Sequence, residues 1–330
     1  MNRSNLTKPT VILVLATILL LVPVITRDPY YLHILIMLGI TILLATSLRL
    51  TLIAGIFNLG QIAFYGIGAY VLMELVTDLG ISFWLGLPLA GIAAAIVALG
   101  LGYVTIRVKG LYFCMLSMAF VEFVRLTIIA IPFLGALNPR PIPPPNPIVI
   151  PYLLRVEFIS KVPYYYLMFA LVAIMLVLLY RIEKSQMGAI LKSMTESEDL
   201  TRGIGVNIVR YKVLAFVICS FFASVAGAFW SSYATIISPE SFEVWKSIMV
   251  FIVAVVGGLG SLWGPVIGAA FLTILPEVLR AIVPYELEPT FYAITLILII
   301  YFVPPGLIGL PQVIQANMRK LYRRRVIEEK

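Results

Sequence analysis

The chain alternates long apolar stretches with short polar ones, and one polar stretch is much longer than the others. Apolar stretches lie at 10 to 26, 31 to 50, 61 to 77, 82 to 105, 111 to 134, 162 to 180, 212 to 236, 246 to 258, 261 to 281 and 290 to 309. Several are long enough to cross the ~30 Å hydrocarbon core of a bilayer as helices, although 246 to 258 is short. The pattern predicts an all-α polytopic membrane protein, a single transmembrane domain over 1–330 with about ten transmembrane or re-entrant helices.

Composition and charge agree with a membrane location. Hydrophobic residues make up 61% of the chain and charged residues only 12%, far below the ~25% usual in soluble domains, which excludes a soluble enzyme. With both termini in the cytoplasm, most of the 24 Lys and Arg residues, Arg49 among them, fall on the cytoplasmic side. We therefore expect a multi-pass protein of the cell membrane whose basic tail lies at the lipid surface and binds no nucleic acid.

The long polar stretch runs from 181 to 212 and carries helical periodicity. One apolar helix face is formed by Met187, Ile190, Leu191 and Met194. Thr195 with Glu198 fits a capping box that starts a second short helix, and Gly203 fits a left-handed C-terminal cap. We expect two short helices at an angle, forming a cytoplasmic segment on which a soluble partner docks. The alternative is an interfacial amphipathic helix that only joins two spans.

Two glycine-rich segments inside apolar stretches share a local pattern. Leu59-Gly60 followed by Ile67-Gly68-Ala69 is matched 200 residues later by Leu259-Gly260 followed by Ile267-Gly268-Ala269. Paired interruptions in the two halves of a transporter indicate helix breaks near its pathway. The predicted pathway residues are Asn58, Gly60, Gln61, Gly66, Gly68, Gly257, Gly258 and Gly260. The alternative is close helix packing, since Gly264 and Gly268 form a GxxxG motif.

Few charged groups fall within the apolar stretches. Glu122 and Arg125 lie three residues apart near the middle of the stretch at 111 to 134. An isolated charge there would cost about 2.5 to 3.5 kcal/mol, so we expect an intramembrane ion pair that faces inward. It either holds a polar lining or fastens neighbouring spans. Cys114 and Cys219 lie in apolar runs and suit packing, so no metal site and no cofactor is predicted.

The residues from 138 to 151 form a proline-rich loop. Seven of these fourteen positions are proline, which predicts a stiff extended connection on the outer side of the membrane. Such a loop could receive an external partner or close a gap between spans.

Four stretches together resemble a known family. They are 58–70 (NLGQIAFYGIGAY), 110–125 (GLYFCMLSMAFVEFVR), 197–216 (SEDLTRGIGVNIVRYKVLAF) and 257–269 (GGLGSLWGPVIGA). In order and spacing the chain is similar to LivM-type permease subunits of ABC importers for branched-chain amino acids. The resemblance implies ABC ATPase subunits, a second related permease subunit and an external substrate-binding protein as partners.

The resemblance also implies a coupling loop that inserts into the ATPase subunit. It corresponds to Glu196 through Asn207, with the coupling residues Glu196, Glu198, Asp199, Leu200, Gly203, Gly205 and Asn207. Two departures from the family pattern occur. Leu200 and Thr201 stand where small residues are usual, and the proline run replaces a glycine-rich stretch.

The expected function is transport without catalysis. The sequence has no Walker motif, so ATP hydrolysis is expected in a separate partner subunit that drives uptake of branched-chain or other small neutral amino acids. The same machinery would suit urea or short amides. An ion-coupled secondary transporter is a further alternative, although it would need several intramembrane carboxylates and Glu122 is the clearest one.

Overall fold

The computed structural model describes residues 28–106, 108, 110–134, 139–150, 154–279 and 306–310, with isolated positions at 20, 21, 23, 287, 290, 294, 297, 298 and 301. The helices with described bounds are α1 Pro29–Ile53, α2 Gln61–Thr77, α3 Phe83–Thr105, α4 Leu111–Ala130, α5 Lys161–Lys184, α6 Gln186–Glu196, α7 Glu198–Gly203, α8 Ile208–Ala234, α9 Val244–Gly257 and α10 Trp263–Leu279. Short strands are β1 Arg140–Pro141, β2 Ile148–Ile150, β3 Leu154–Val156 and β4 Ile236–Ile237.

Five of these helices are long and apolar enough to cross a membrane. They are α1, α3, α4, α5 and α8, and the shorter α2 and the apolar part of α10 are further apolar helices. The predicted all-α membrane architecture is therefore confirmed in its coarse form. The basic tail and most of the stretches at 10 to 26 and 290 to 309 lie outside the described residues, so ten crossings and cytoplasmic termini stay predictions.

The bundle has two distinct ends, set by the parallel course of α1 and α5. Lys161 at the start of α5 donates to the carbonyl of Pro29 at the start of α1, at 3.1 Å. Arg49 and Glu183 join the far ends of the same two helices. We call the end near Pro29 the proline-loop end, because the loop between α4 and α5 lies there, and the end near Glu183 the polar-segment end, because it carries α6 and α7.

The described part of the proline-rich loop is tied to the bundle. β1 pairs antiparallel with β4, with Arg140 opposite Ile237, and β2 pairs antiparallel with β3. Arg140 also bonds Glu74 near the end of α2, at 2.9 Å. The side-chain carbonyl of Asn146 accepts from the main chain of Phe83 at 3.0 Å. These contacts hold the loop across the ends of α2, α3 and α8.

Helix α8 forms the centre of the bundle and packs on α1, α2 and α3. A methyl group added at Gly227 would lie 1.9 Å from the carbonyl oxygen of Tyr65, and one added at Gly68 would lie 2.1 Å from that of Ser224. The α2 and α8 backbones therefore touch directly, as small residues allow in membrane helices. Gly66 and Gly68 were predicted to line a pathway, but both lie within α2 at packing positions, Gly66 against the ring of Phe242.

This contact predicts an asymmetric effect of two identical substitutions. Gly227→Ala should lower the melting temperature of the detergent-solubilised protein, because its methyl group meets a main-chain carbonyl that cannot move aside; overpacking of this kind costs about 1–3 kcal/mol or more. Gly100→Ala is the matched control, since nothing lies within 4 Å of its added methyl group. Equal melting temperatures for the two variants would contradict direct α2–α8 backbone contact.

Candidate functional site

The first glycine-rich segment breaks the helical path between α1 and α2. Residues 56–60 are non-helical, and Gly55 adopts φ +73°, a conformation that glycine tolerates best. A methyl group added at Gly55 would lie 3.5 Å from the carboxylate of Glu198 in α7, whereas Gly60 lies against Ser117 of α4. The segment thus runs from the polar-segment end back into the bundle, and the predicted helix break is present here.

The helix break leaves backbone N–H groups without helical partners, and side chains within the bundle accept hydrogen bonds from them. The Asn58 carbonyl accepts from the main-chain N–H of Gly60 at 2.8 Å, and the Ser117 hydroxyl accepts from that of Leu59 at 3.0 Å. Unpaired backbone groups would be costly in an apolar interior. Asn58 and Ser117 therefore stabilise the break itself.

Gln61 has a similar structural role at the first residue of α2. Its amide nitrogen donates to the carbonyl of Leu44 at 2.9 Å and lies 2.8 Å from the hydroxyl of Ser47. Its carbonyl accepts from Cys219 at 3.2 Å. We predicted a pathway role for Gln61, but these bonds engage its amide inside the protein, where it is almost fully buried.

The second glycine-rich segment breaks the path between α9 and α10. Gly258 ends α9 with φ +102°, and residues 258–262 are non-helical. A methyl group added at Gly264 would lie 1.8 Å from the carbonyl of Gly258, and one added at Gly257 would lie 2.1 Å from that of Gly264. Close helix packing, the alternative suggested by the GxxxG motif, therefore describes the contact between α9 and α10. Gly257 lies in this contact and does not line an opening. Gly260 is exposed, and a methyl group there would meet nothing within 4 Å.

One cationic side chain joins the second break to the rest of the polar-segment end. Arg49 of α1 donates from Nε to the carbonyl of Leu259 at 2.8 Å. Its two other nitrogens bond the carboxylate of Glu183 at 3.2 and 3.3 Å, and Lys192 of α6 bonds the same carboxylate at 2.9 Å. We call Arg49, Glu183 and Lys192 the Arg49 cluster. In the sequence, Arg49 is only one of the basic residues that orient the chain, and nothing around it indicates this role.

The predicted pair of short helices is present as α6 and α7, but its caps differ from the prediction. Ser197, with extended backbone, caps α7 by accepting from the main chain of Leu200 at 3.3 Å. The predicted cap, Thr195, lies within α6, and its hydroxyl bonds the last carbonyl of α1. Gly203 is the last residue of α7, and the positive φ of +85° occurs at Gly205 instead.

The predicted coupling residues divide into two groups. Glu198 is paired with Lys212 of α8, and Asn207 caps α8 by accepting from the main chain of Arg210 at 3.1 Å. The others are exposed: Glu196, Asp199, Leu200, Gly203 and Gly205. Leu200 is 76% exposed and the neighbouring Ile204 is 77% exposed. Two large apolar side chains thus project from the tip of the polar segment.

Two cavities follow the first break. The apolar chamber has a volume of about 210 Å³, and its walls include Asn58, Phe64, Phe113, Ser117, Phe120 and Phe216. The polar vestibule has a volume of about 240 Å³, and its walls include Gly55, Phe57, Gly110, Phe113, Glu198 and Lys212. Both cavities are partly open at the surface of this single chain, and Phe113 belongs to both.

Glu122 and Arg125 form the predicted ion pair, with Arg125 Nε 3.0 Å from a carboxylate oxygen of Glu122. The pair does not face inward as predicted. The two side chains are 40% and 24% exposed on α4, and their mutual bonds run within that helix. Among the described residues, no group of side chains suits a metal ion.

Comparison with known proteins decides the family. A family model described as the permease component of branched-chain amino acid transport systems matches residues 30–303. The chain belongs to this family. The resemblance drawn from the four sequence stretches is therefore confirmed, and it covers most of the chain.

Individual relatives carry corresponding descriptions. The high-affinity branched-chain amino acid transport system permease proteins LivM of Salmonella typhimurium and Escherichia coli are each 28% identical over 254 residues, which is 71% of this chain and 60% of theirs. LivH of Escherichia coli is 31% identical over 139 residues, 42% of this chain and 45% of that protein. This chain thus aligns with about 60% of the length of the LivM proteins. No solved structure matches it.

The Arg49 cluster generates a stability prediction. Glu183→Gln should lower the melting temperature in detergent strongly, because it removes the main counter-charge of a guanidinium that is only 3% exposed; breaking a buried pair costs about 3–5 kcal/mol. The double variant Arg49→Met/Glu183→Gln should recover part of the loss. Glu122→Gln, at the exposed pair, is the control and should cost much less. Equal losses for the single and double variants would contradict the pairing.

Proposed function

We propose that this chain is a membrane-spanning permease subunit of an ATP-driven ABC importer that moves branched-chain or other small neutral amino acids into the cell. Family membership supports the transport class. The observation that carries the mechanism is that the polar segment is bonded to the residue before the first break and, through Arg49, to the second break. The segment also projects an exposed apolar tip. Because the sequence has no Walker motif, hydrolysis belongs to separate ATPase subunits.

The tip of α7 is suited to docking in a groove of an ATPase subunit. Leu200 and Ile204 are four residues apart, expose most of their surface, and have acidic Asp199 beside them. Large apolar side chains that project together from a polar surface are typical of a contact with a protein or a membrane. The ion pair between Glu198 and Lys212 holds the first turn of α7 on α8. The residues that hold α7 in place are therefore different from those exposed at its tip.

Movement of the polar segment would reach the first break through α6. The hydroxyl of Thr195 bonds the carbonyl of Ile53, the last residue before that break. Gly55, two residues further along, lies beside Glu198. A displacement of α6 and α7 therefore acts directly on a glycine-containing turn, where the backbone can change direction more easily than inside a helix.

The second break receives the same displacement through the Arg49 cluster. Lys192 of α6 bonds Glu183, Glu183 bonds Arg49, and Arg49 bonds the carbonyl of Leu259. Alternating access in this proposal is a joint rearrangement of the two breaks, driven by the ATPase cycle. The directly packed helix pairs α2–α8 and α9–α10 move as rigid units.

The exposed face of α4 supports a second, related permease subunit as a partner. Glu122 and Arg125 would be costly against lipid, and α4 is the least covered of the five long apolar helices. Protein or a hydrated pathway must therefore cover this face. In the proposed orientation the polar-segment end and both termini face the cytoplasm, and an external substrate-binding protein docks at the proline-loop end.

The chamber favours amino acids over the alternative substrates. Its walls are largely aromatic and aliphatic, which suits an aliphatic side chain better than urea or a short amide. Ion coupling has less support among the described residues. Glu74 is paired with Arg140, and Glu277 accepts from Tyr30 at 2.5 Å, both at the proline-loop end.

The docking proposal is tested by Leu200→Asp/Ile204→Asp. This variant should reduce co-purification of the ATPase subunits by at least about tenfold and reduce leucine uptake in parallel, because it places charges where an apolar contact forms. The yield of the permease should not change, since both side chains are exposed. Leu79→Asp, at a 68% exposed leucine of the opposite end, is the control for co-purification of the ATPase subunits. Undiminished co-purification and uptake in the double variant would overturn the proposal.

A further inference from the structure

The apolar chamber and the polar vestibule share one wall residue, Phe113. Phe113 is buried and belongs to the wall of both cavities. It lies in the first turn of α4, just after Gly110, which has φ +60° and free space around an added methyl group. The turn that carries Phe113 is therefore attached through a glycine, whose backbone has more accessible conformations than that of other residues.

The chamber is built from a cluster of phenylalanine rings. The centroids of Phe64 and Phe216 lie 5.4 Å apart, those of Phe64 and Phe120 lie 5.4 Å apart, and those of Phe113 and Phe216 lie 6.1 Å apart. A methyl group added at Gly102 would lie 3.1 Å from the Phe216 ring. The absence of a side chain at Gly102 therefore leaves room for this ring. Such walls attract an aliphatic group and cannot solvate a charge.

The volume and charges of the two cavities match different parts of one molecule. A chamber of about 210 Å³ is smaller than the ~300–1,000 Å³ of sites for drug-sized ligands, so it suits a small solute. The vestibule carries one carboxylate and one ammonium, on Glu198 and Lys212. These two groups are paired with each other, so the vestibule is polar without a net charge, which suits an amino acid in its zwitterionic form.

We propose that the apolar chamber binds the aliphatic side chain of the transported amino acid during passage, and that Phe113 separates the chamber from the polar vestibule. This inference rests on the proposed function and adds the residues that select the side chain. Phe113 leaves its position when the polar segment moves, because Glu198 of that segment forms part of the vestibule on its other side.

The size of the chamber is tested with Ala119, an exposed small residue of α4 that borders it. In proteoliposomes containing the complete importer, Ala119→Phe should lower the leucine-to-alanine uptake ratio by about tenfold or more, because the ring occupies space that a branched side chain needs. Ala130→Phe, at the exposed end of the same helix, is the matched control and should leave the ratio unchanged. Phe120→Ala enlarges the chamber and should raise phenylalanine uptake relative to leucine, a gain that misfolding cannot produce.

The separating role of Phe113 is tested in the same vesicles without ATP. Phe113→Ala should increase leucine efflux from loaded vesicles, and addition of Ala119→Phe should suppress that leak. Unchanged uptake ratios in Ala119→Phe and Phe120→Ala would refute binding of the substrate side chain in the chamber. A lipid acyl chain would then be left as its occupant. Absence of a leak in Phe113→Ala, with normal ATP-driven uptake, would overturn the separating role. Failure of the wild-type importer to take up any neutral amino acid would instead refute the proposed function and, with it, the substrate class assigned to the chamber.

Discussion

The arrangement of the polar-segment end depends on the buried charge of Arg49. Its guanidinium bonds the carbonyl of Leu259 and the carboxylate of Glu183, so α1, α5 and the second break are held by one side chain. A guanidinium in an apolar interior must keep such partners, because an uncompensated charge there is very costly. The loop at 258–262 is thus bonded through Arg49 to Glu183 and, through it, to Lys192 in α6.

The rest of the bundle restricts where movement can occur. Backbone contact between α2 and α8, and between α9 and α10, leaves no space for side chains to adjust. The non-helical segments at 56–60 and 258–262 are different, because side chains and glycine conformations define their paths. A transporter built in this way can convert displacement of a peripheral segment into local bending near its cavities.

Periodic features could be predicted from the sequence, whereas long-range contacts could not. The stretch at 61 to 77 coincides with α2, and the glycine repeat located both helix breaks. The functions of individual glycines were not predictable, since Gly68 packs against a residue more than 150 positions away. The bond from Thr195 to Ile53 and that from Arg49 to Leu259 likewise join distant positions. Because local patterns cannot show such contacts, the sequence indicated only a helix cap at Thr195 and a topology signal at Arg49.

The central claim is that the Arg49 cluster transmits movement from the polar segment to the second break. The most direct test is the number of leucine molecules taken up per ATP hydrolysed by the reconstituted importer that carries Arg49→Met/Glu183→Gln. The account predicts that the ATPase still docks and hydrolyses ATP, because the α7 tip is intact, while uptake per ATP falls by at least about fivefold. An unchanged ratio of uptake to hydrolysis in this variant would contradict the account.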